Sequence, residues 1–190
     1  PREPPIQESP GLQQAILSPL RNLSSCNSAI AYKRQLECVL QVMDTSGDSL
    51  KHAWPVVVGI ISDAMTTVDP LPNATTIRIA FDSIRMVVTD FLPKVPLPCY
   101  PLLMDTIAQF GQQNVDVNIC LSAIGLLWNV SDFLSRHIPK IQTDLAVLST
   151  AEAFPAKEIN ESSLWMGLFE KLGLLCIDPR SEVRKSANQT

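Results

Sequence analysis

The stretch Asp178-Pro179-Arg180-Ser181-Glu182-Val183-Arg184-Lys185-Ser186-Ala187 indicates how this chain folds. Asp178 and the following proline are typical of a helix start, where a carboxylate can accept free backbone N–H groups. Val183 and Ala187 are four residues apart, so they lie on one helix face and are predicted to face a core. Arg184 is predicted to reach an acidic residue of a stacked neighbour. The stretch therefore predicts a short, capped helix that packs against others.

Three weaker copies of this pattern lie upstream, each with an apolar or aromatic residue in the place of Val183. These residues are Tyr32, Ile77 and Ile119, and the four positions are separated by 45, 42 and 64 residues. The first two intervals match the period of about 40–47 residues of HEAT repeats, and the third carries roughly half a repeat more. We interpret the chain as all-α, with antiparallel helical hairpins stacked as a HEAT/armadillo-like solenoid.

The spacing of apolar residues predicts where the helices lie. They are expected at 11–24, 28–46, 51–68, 74–92, 99–113, 117–137 and 163–177, with an eighth starting near 180. The region 138–162 mixes Pro, Thr, Ser, Glu and Lys, and we predict a flexible insertion there. The predicted organisation is therefore 1–27 as an N-terminal extension with the first helix, 28–137 as helical repeats, 138–162 as the insertion, and 163–190 as further repeat helices truncated at the C-terminus.

Composition excludes several classes of protein. The 190 residues are 46% hydrophobic and 18% charged, with a formal net charge of −4. This is a globular composition without a basic stripe, so we expect no nucleic-acid partner. The longest apolar run, at 121–128, is shorter than the ~20 residues of a membrane span, so we expect no transmembrane segment.

The sequence shows no pattern of reactive or metal-binding residues. It has no glycine-rich phosphate loop, no GxSxG, no HExxH and no CxxC, and its two histidines have no partner at helical spacing. The five cysteines are odd in number and far apart, which favours buried thiols in a reducing compartment. They are Cys26, Cys38, Cys99, Cys120 and Cys176. We expect no catalytic residue, no metal site and no cofactor, and therefore no enzyme.

One stripe of small or polar residues stands out on the apolar segment 117–137. Its members recur at intervals of 4, 3, 4 and 3, and they are Asn118, Ser122, Gly125, Asn129 and Asp132. Such spacing places them on one helix face. The stripe is a candidate protein-binding groove, a seam where a neighbouring helix packs closely, or a solvated face. Packing is the commoner reason for a helix stripe.

Several stretches resemble one known family. They are 46–61, which contains Trp54-Pro55, 77–92, which begins Ile77-Arg78-Ile79-Ala80-Phe81, 118–133, and 178–187. Together they are similar to the helical region of the Mon-two (monensin-sensitivity) proteins, HEAT-type relatives of the large Arf guanine-nucleotide exchange factors.

This resemblance implies a non-catalytic protein-binding scaffold segment in endosome-to-Golgi membrane trafficking. It implies a cytoplasmic location, peripheral at trans-Golgi and endosome membranes, with membrane association through partners. The implied partners are a Dopey-type scaffold, an Arf-like GTPase and a phospholipid flippase. One alternative is a regulatory or effector-binding helical segment of an Arf guanine-nucleotide exchange factor. A second is a HEAT adaptor of another transport pathway.

Overall fold

A computed structural model describes residues 10–23, 28–66, 74–150 and 159–189. Within these ranges lie nine α-helices and no strand: α1 (Pro10–Asn22), α2 (Ala29–Ser46), α3 (Trp54–Thr66), α4 (Ala74–Met86), α5 (Tyr100–Gln112), α6 (Val117–Arg136), α7 (Ile138–Thr150), α8 (Glu161–Cys176) and α9 (Ser181–Gln189). The predicted all-α class is confirmed.

The chain divides into two compact units, residues 1–96 and 97–190. In the first unit α1 packs on α3, α2 packs on α4, and α3 packs against α4. In the second unit α5 packs on α8 and α6 on α9, while the pairs α5–α6 and α8–α9 each pack together. Within each unit, the first helix of one predicted hairpin therefore packs on the first helix of the other, as in α1–α3 and α5–α8. The second helices pack together in the same way, as in α2–α4 and α6–α9, which is expected for stacked repeats. A continuous solenoid and the boundaries at 27, 137 and 162 stay predictions.

The repeated pattern marks core positions in both units. The residues in the place of Val183, namely Tyr32, Ile77, Ile119 and Val183 itself, are buried. The residues four positions later are buried as well: Leu36, Phe81, Ala123 and Ala187. They lie on α2, α4, α6 and α9, so one helix of each predicted repeat carries the pattern.

Helix α7 occupies Ile138–Thr150, so the prediction that no helix lies between 137 and 163 is wrong for its first half. Pro139 falls in the first helical turn, where its missing N–H costs nothing. Ile141 is buried, and its N–H donates to the carbonyl oxygen of His137 at 2.9 Å. One extra helix accounts for the half-repeat excess before Val183. Residues 151–158 of the predicted insertion lie outside the described residues.

In the first unit an aromatic pair covers the turn between α2 and α3. The Trp54 indole N–H donates to the carbonyl oxygen of Leu50 at 2.8 Å, and its ring lies 5.5 Å from the Phe91 ring, centroid to centroid. Phe91 closes a π-helical turn, Val87–Phe91, that continues α4. A Cβ atom on Gly47 would overlap the Phe91 ring, so the turn requires glycine because of this close approach.

Candidate protein-binding face

The start of α6 is fixed by side chains in the turn that precedes it. The Asp116 carboxylate accepts the backbone N–H of Asn118 at 3.0 Å, which caps the helix. The Gln113 side-chain oxygen accepts the N–H groups of Val115 and Asp116 at 2.6 and 2.9 Å. These bonds hold the four residues between α5 and α6 in one conformation, so the direction of α6 is set locally.

Helix α6 has one buried face and one exposed face. The buried residues are Ile119, Cys120, Ala123, Ile124, Leu126, Leu127, Val130 and Leu134. The predicted stripe lies on the other side: Asn118, Ser122, Gly125 and Asn129 are exposed, and Asp132 is partly exposed and ion-paired with Arg136 at 2.9 Å. A Cβ atom on Gly125 would meet nothing within 4 Å. The interpretation of the stripe as a tight helix-packing seam is therefore wrong at its centre.

Gly125 lines an open groove of about 290 Å³ between α6 and α9. The α6 wall consists of Leu121, Ile124, Gly125 and Trp128, and the α9 wall of Ser186 and Gln189. Trp128 is 51% exposed, although a tryptophan normally contributes a large apolar surface to a core. The groove thus offers an apolar wall and an aromatic ring opposite polar groups, which suits a protein partner.

The far wall of the groove is held in place by Arg180. Its guanidinium makes two bonds to Asp178, from Nε to Oδ1 at 2.8 Å and from Nη2 to Oδ2 at 2.7 Å. It also donates to the carbonyl oxygens of Gln113 at 2.6 Å and Gly111 at 3.0 Å, and to Cys120 Sγ at 3.2 Å. Arg180 therefore links the turn before α9 to the end of α5 and the start of α6.

This cluster shifts the pKa of its members. The hydrogen bond from Arg180 lowers the pKa of Asp178, and the same bond raises the pKa of Arg180. The pKa of the Cys120 thiol is raised, chiefly because burial disfavours the thiolate. The neighbouring guanidinium opposes that shift without reversing it. Cys120 is consequently a packed, protonated thiol rather than a nucleophile.

The predicted repeat signature needs one correction. Val183 and Ala187 lie in the core, and Asp178 is 8% exposed. The predicted contact of Arg184 with an acidic residue of a neighbour is wrong: its Nη1 donates to the carbonyl oxygens of Asp178 and Pro179 at 2.7 and 2.8 Å. Helix α9 begins within a few residues of these carbonyls, so the side chain folds back onto its own turn.

Arg180 and Gln113 join the helices, and neither was predicted from the sequence to do so. An arginine two positions after an aspartate suggests a local ion pair. Its partners 67 and 69 residues away, Gln113 and Gly111, are visible only in the fold.

The cysteine thiols differ in solvent exposure more than predicted. Among the described cysteines, Cys99 and Cys120 are buried, Cys176 is intermediate and Cys38 is exposed, and all four are free. The prediction of burial is therefore wrong for Cys38, which lies on α2 beside the charged surface residues Arg34 and Glu37. Cys26 lies outside the described residues. Burial raises the pKa of Cys99 to about 12.

The described ranges contain no cluster that suggests a metal site. No three His, Cys, Asp or Glu side chains there are grouped so that they could hold a metal ion. Of the helices described, α6 is the one long and apolar enough to cross a membrane. The core helix of a folded domain can have the same length and apolar composition. Helix α6 packs against α5, α8 and α9 and has polar residues on its exposed face. Core packing accounts for its apolar character.

These features define a class: a protein of paired, stacked helices that presents a groove rather than a cluster of reactive side chains in the part described. Residues 89–190 match the family described as the C-terminal region of Mon2 protein, and residues 3–86 match the family described as Mon2/Sec7/BIG1-like, HDS. The chain belongs to the Mon2 family.

Curated relatives agree with this assignment. The Protein MON2 homolog of Drosophila melanogaster is 43% identical over 98% of this chain, and that of Homo sapiens is 38% identical over 99%. Protein MON2 of Saccharomyces cerevisiae is 27% identical over 60%. The chain spans 11% of the length of the first two relatives and 8% of the third. No solved structure matches it significantly.

Proposed function

We propose that this chain is a non-catalytic, protein-binding scaffold segment that acts in endosome-to-Golgi membrane trafficking. The observation that carries the proposal is family membership, which rests on two family matches that together cover residues 3–86 and 89–190. The groove beside Trp128 supplies a surface suited to a protein ligand. A location at the cytoplasmic side of trans-Golgi and endosome membranes, with attachment through partners, belongs to the same proposal.

The proposed partners are a Dopey-type scaffold, an Arf-like GTPase and a phospholipid flippase. The groove favours a ligand that inserts an apolar side chain beside Trp128 and hydrogen-bonds to the α9 side, because an aromatic anchor within a polar rim is typical of protein interfaces. An amphipathic helix satisfies both requirements.

The test uses the full-length parent protein, expressed in cells that lack it. One variant combines Gly125→Leu, which enters open space, with Trp128→Ala, which removes the half-exposed ring of the groove. The matched control is Gly11→Leu, an exposed helical glycine of α1 that is also surrounded by open space. We expect the groove variant to lose co-purification of at least one of the three partners and to impair retrieval of endosomal cargo, while the control keeps both.

Equal partner recovery and equal cargo retrieval in the two variants, at equal protein level, would contradict a role for this groove. Dispersal of the groove variant from membranes without loss of any of the three partners would point to a different ligand.

A second function is favoured by the match of residues 3–86 to the Mon2/Sec7/BIG1-like family. In that case the segment regulates an Arf exchange factor or binds its effector. The purified parent protein would then accelerate nucleotide release from an Arf GTPase, and deletion of residues 3–86 would change that rate. A parent without exchange activity favours the scaffold.

A further inference from the structure

Helix α8 has two opposite faces of contrasting environment. The face toward α5 carries Leu164, Leu168, Lys171 and Leu175, at intervals of 4, 3 and 4. The three leucines are buried, and Lys171 pairs with Asp105 of α5 at 2.8 Å. Leu175 lies against Gly111 of α5, which leaves no room there for a Cβ atom. This face is a complete helix-to-helix interface.

The opposite face of α8 is apolar but open to solvent. It consists of Met166, Phe169 and Gly173, followed by Ile177 one residue beyond the end of the helix, at intervals of 3, 4 and 4. We name these four residues the α8 outer stripe. Met166 is 68% exposed, Phe169 58% and Ile177 76%. Phe169 stacks on the Trp165 ring at 5.9 Å, so the aromatic surface is already ordered. The space beside Gly173 is empty, and a second helix could approach closely there.

A helix normally buries its large apolar residues when they recur at helical spacing. Where such residues form a contiguous exposed patch, the patch marks an interaction site. Helix α5 shows what a covered helix looks like in this unit. Its apolar residues are buried on nearly all sides, including Leu103, Met104, Ile107 and Phe110. Helix α8 has a similarly apolar composition and packs against α5, α6 and α9, but its outer stripe is exposed.

We propose that the α8 outer stripe is covered by a further helical hairpin of the same polypeptide, from outside residues 1–190. In a stack of repeats, the terminal repeat needs a polar outer face, and this face is apolar. The pair α8–α9 therefore has the character of an internal layer. The relatives are long enough to supply the covering hairpin, since this chain spans 11% of their length.

The geometry also specifies the occupant. Its first helix packs along α8 as α8 packs along α5, with small or apolar residues against Phe169 and Gly173. Glu170 lies on the same side of α8, exposed and 3.4 Å from Lys171. A lysine or arginine on the covering helix is expected to face this carboxylate. The inference is independent of the proposed trafficking role, because it concerns the internal packing of the parent protein.

The experiment measures thiol labelling in the native full-length protein, resolved by peptide mass spectrometry. Met166→Cys and Ile177→Cys probe the α8 outer stripe, and Gln112→Cys, on the exposed side of α5, is the control. We expect the stripe thiols to label at least about tenfold more slowly than the control, and to reach its rate in denaturant. The protection is expected to persist on dilution.

A photo-crosslinker at position 166 identifies the cover. Crosslinks to a peptide of the same polypeptide outside residues 1–190 are expected. Native labelling as fast as the control overturns the proposal. Protection lost on dilution indicates a second copy and overturns it as well, and so do crosslinks that go only to a different protein.

Discussion

Arg180 holds Asp178 by two parallel hydrogen bonds, with Nε 2.8 Å from Oδ1 and Nη2 2.7 Å from Oδ2. The carboxylate is 7% exposed and the guanidinium 23%. A two-point bond of this kind fixes both direction and distance. Because the same guanidinium reaches the carbonyl oxygens of Gly111 and Gln113, one local ion pair sets the position of α9 against α5 and α6.

Replacing Arg180 by methionine is expected to detach α9. The change leaves a nearly buried carboxylate without its cation, and two carbonyl groups without donors. Breaking such a pair costs about 3 kcal/mol. Hydrogen exchange of the α9 amides in the full-length protein measures the loss as faster local opening. The control is Arg136→Met, which breaks the exposed pair with Asp132 and is expected to cost less than ~1 kcal/mol. Similar exchange in both variants would contradict the role of Arg180 in holding α9.

Acid is expected to weaken the same contact. The pKa of Asp178 is lowered from its usual 3.8, mainly by the hydrogen bond from Arg180. A lowered pKa in the folded state means that the stabilisation is complete above pH 3.8 and declines as pH falls through the folded pKa. Protection factors of the α9 amides between pH 6 and about 2 report this decline. Asp178→Asn should lack that pH dependence; the same curve in both proteins would rule out this carboxylate as its source.

Two glycines are expected to respond to alanine with opposite signs. Gly47→Ala brings a methyl group onto the Phe91 ring, and such overpacking costs about 1–3 kcal/mol. Its backbone is right-handed helical, with φ −55°, so the cost comes from the overlap alone. Gly125→Ala enters open space within α6 and is expected to stabilise by about 0.5–1 kcal/mol.

Hydrogen exchange of α2 and α3 tests the first change, and exchange of α6 tests the second. Gly11→Ala, another open helical glycine, is the control for the stabilising effect. A destabilised Gly125→Ala would mean that a partner or a neighbouring segment occupies the groove.

The thiols are expected to differ widely in reactivity. Burial raises the pKa of Cys99 to about 12, so only about one thiol in ten thousand is ionised at pH 8. Cys38 is exposed on α2. Iodoacetamide labelling of the native protein, followed by peptide mass spectrometry, is expected to modify Cys38 and leave Cys99 unmodified. Equal labelling of the two before denaturation would show that the region around Cys99 opens.

The length and period of the helices follow from the sequence because their causes are local. Apolar residues every three to four positions give each helix its buried face, and prolines and capping residues end it. The same logic applies to α7, where Ile138, Ile141 and Leu145 keep a helical spacing. The segment was nevertheless predicted to be a flexible insertion because it contains Ser, Thr and Lys, so composition was the cause of the wrong prediction.

What only the tertiary structure decided is which faces meet. The stripe on α6 is visible as a pattern, but a small-residue face can pack closely or stay open. The choice depends on where α9 lies, which Arg180 sets through Gln113 and Gly111, 67 and 69 positions away. The sequence by itself determined an all-α chain with repeated core positions. Contacts between distant segments left Gly125 in the wall of an open groove, because the distance between two helices depends on contacts that the local sequence does not specify.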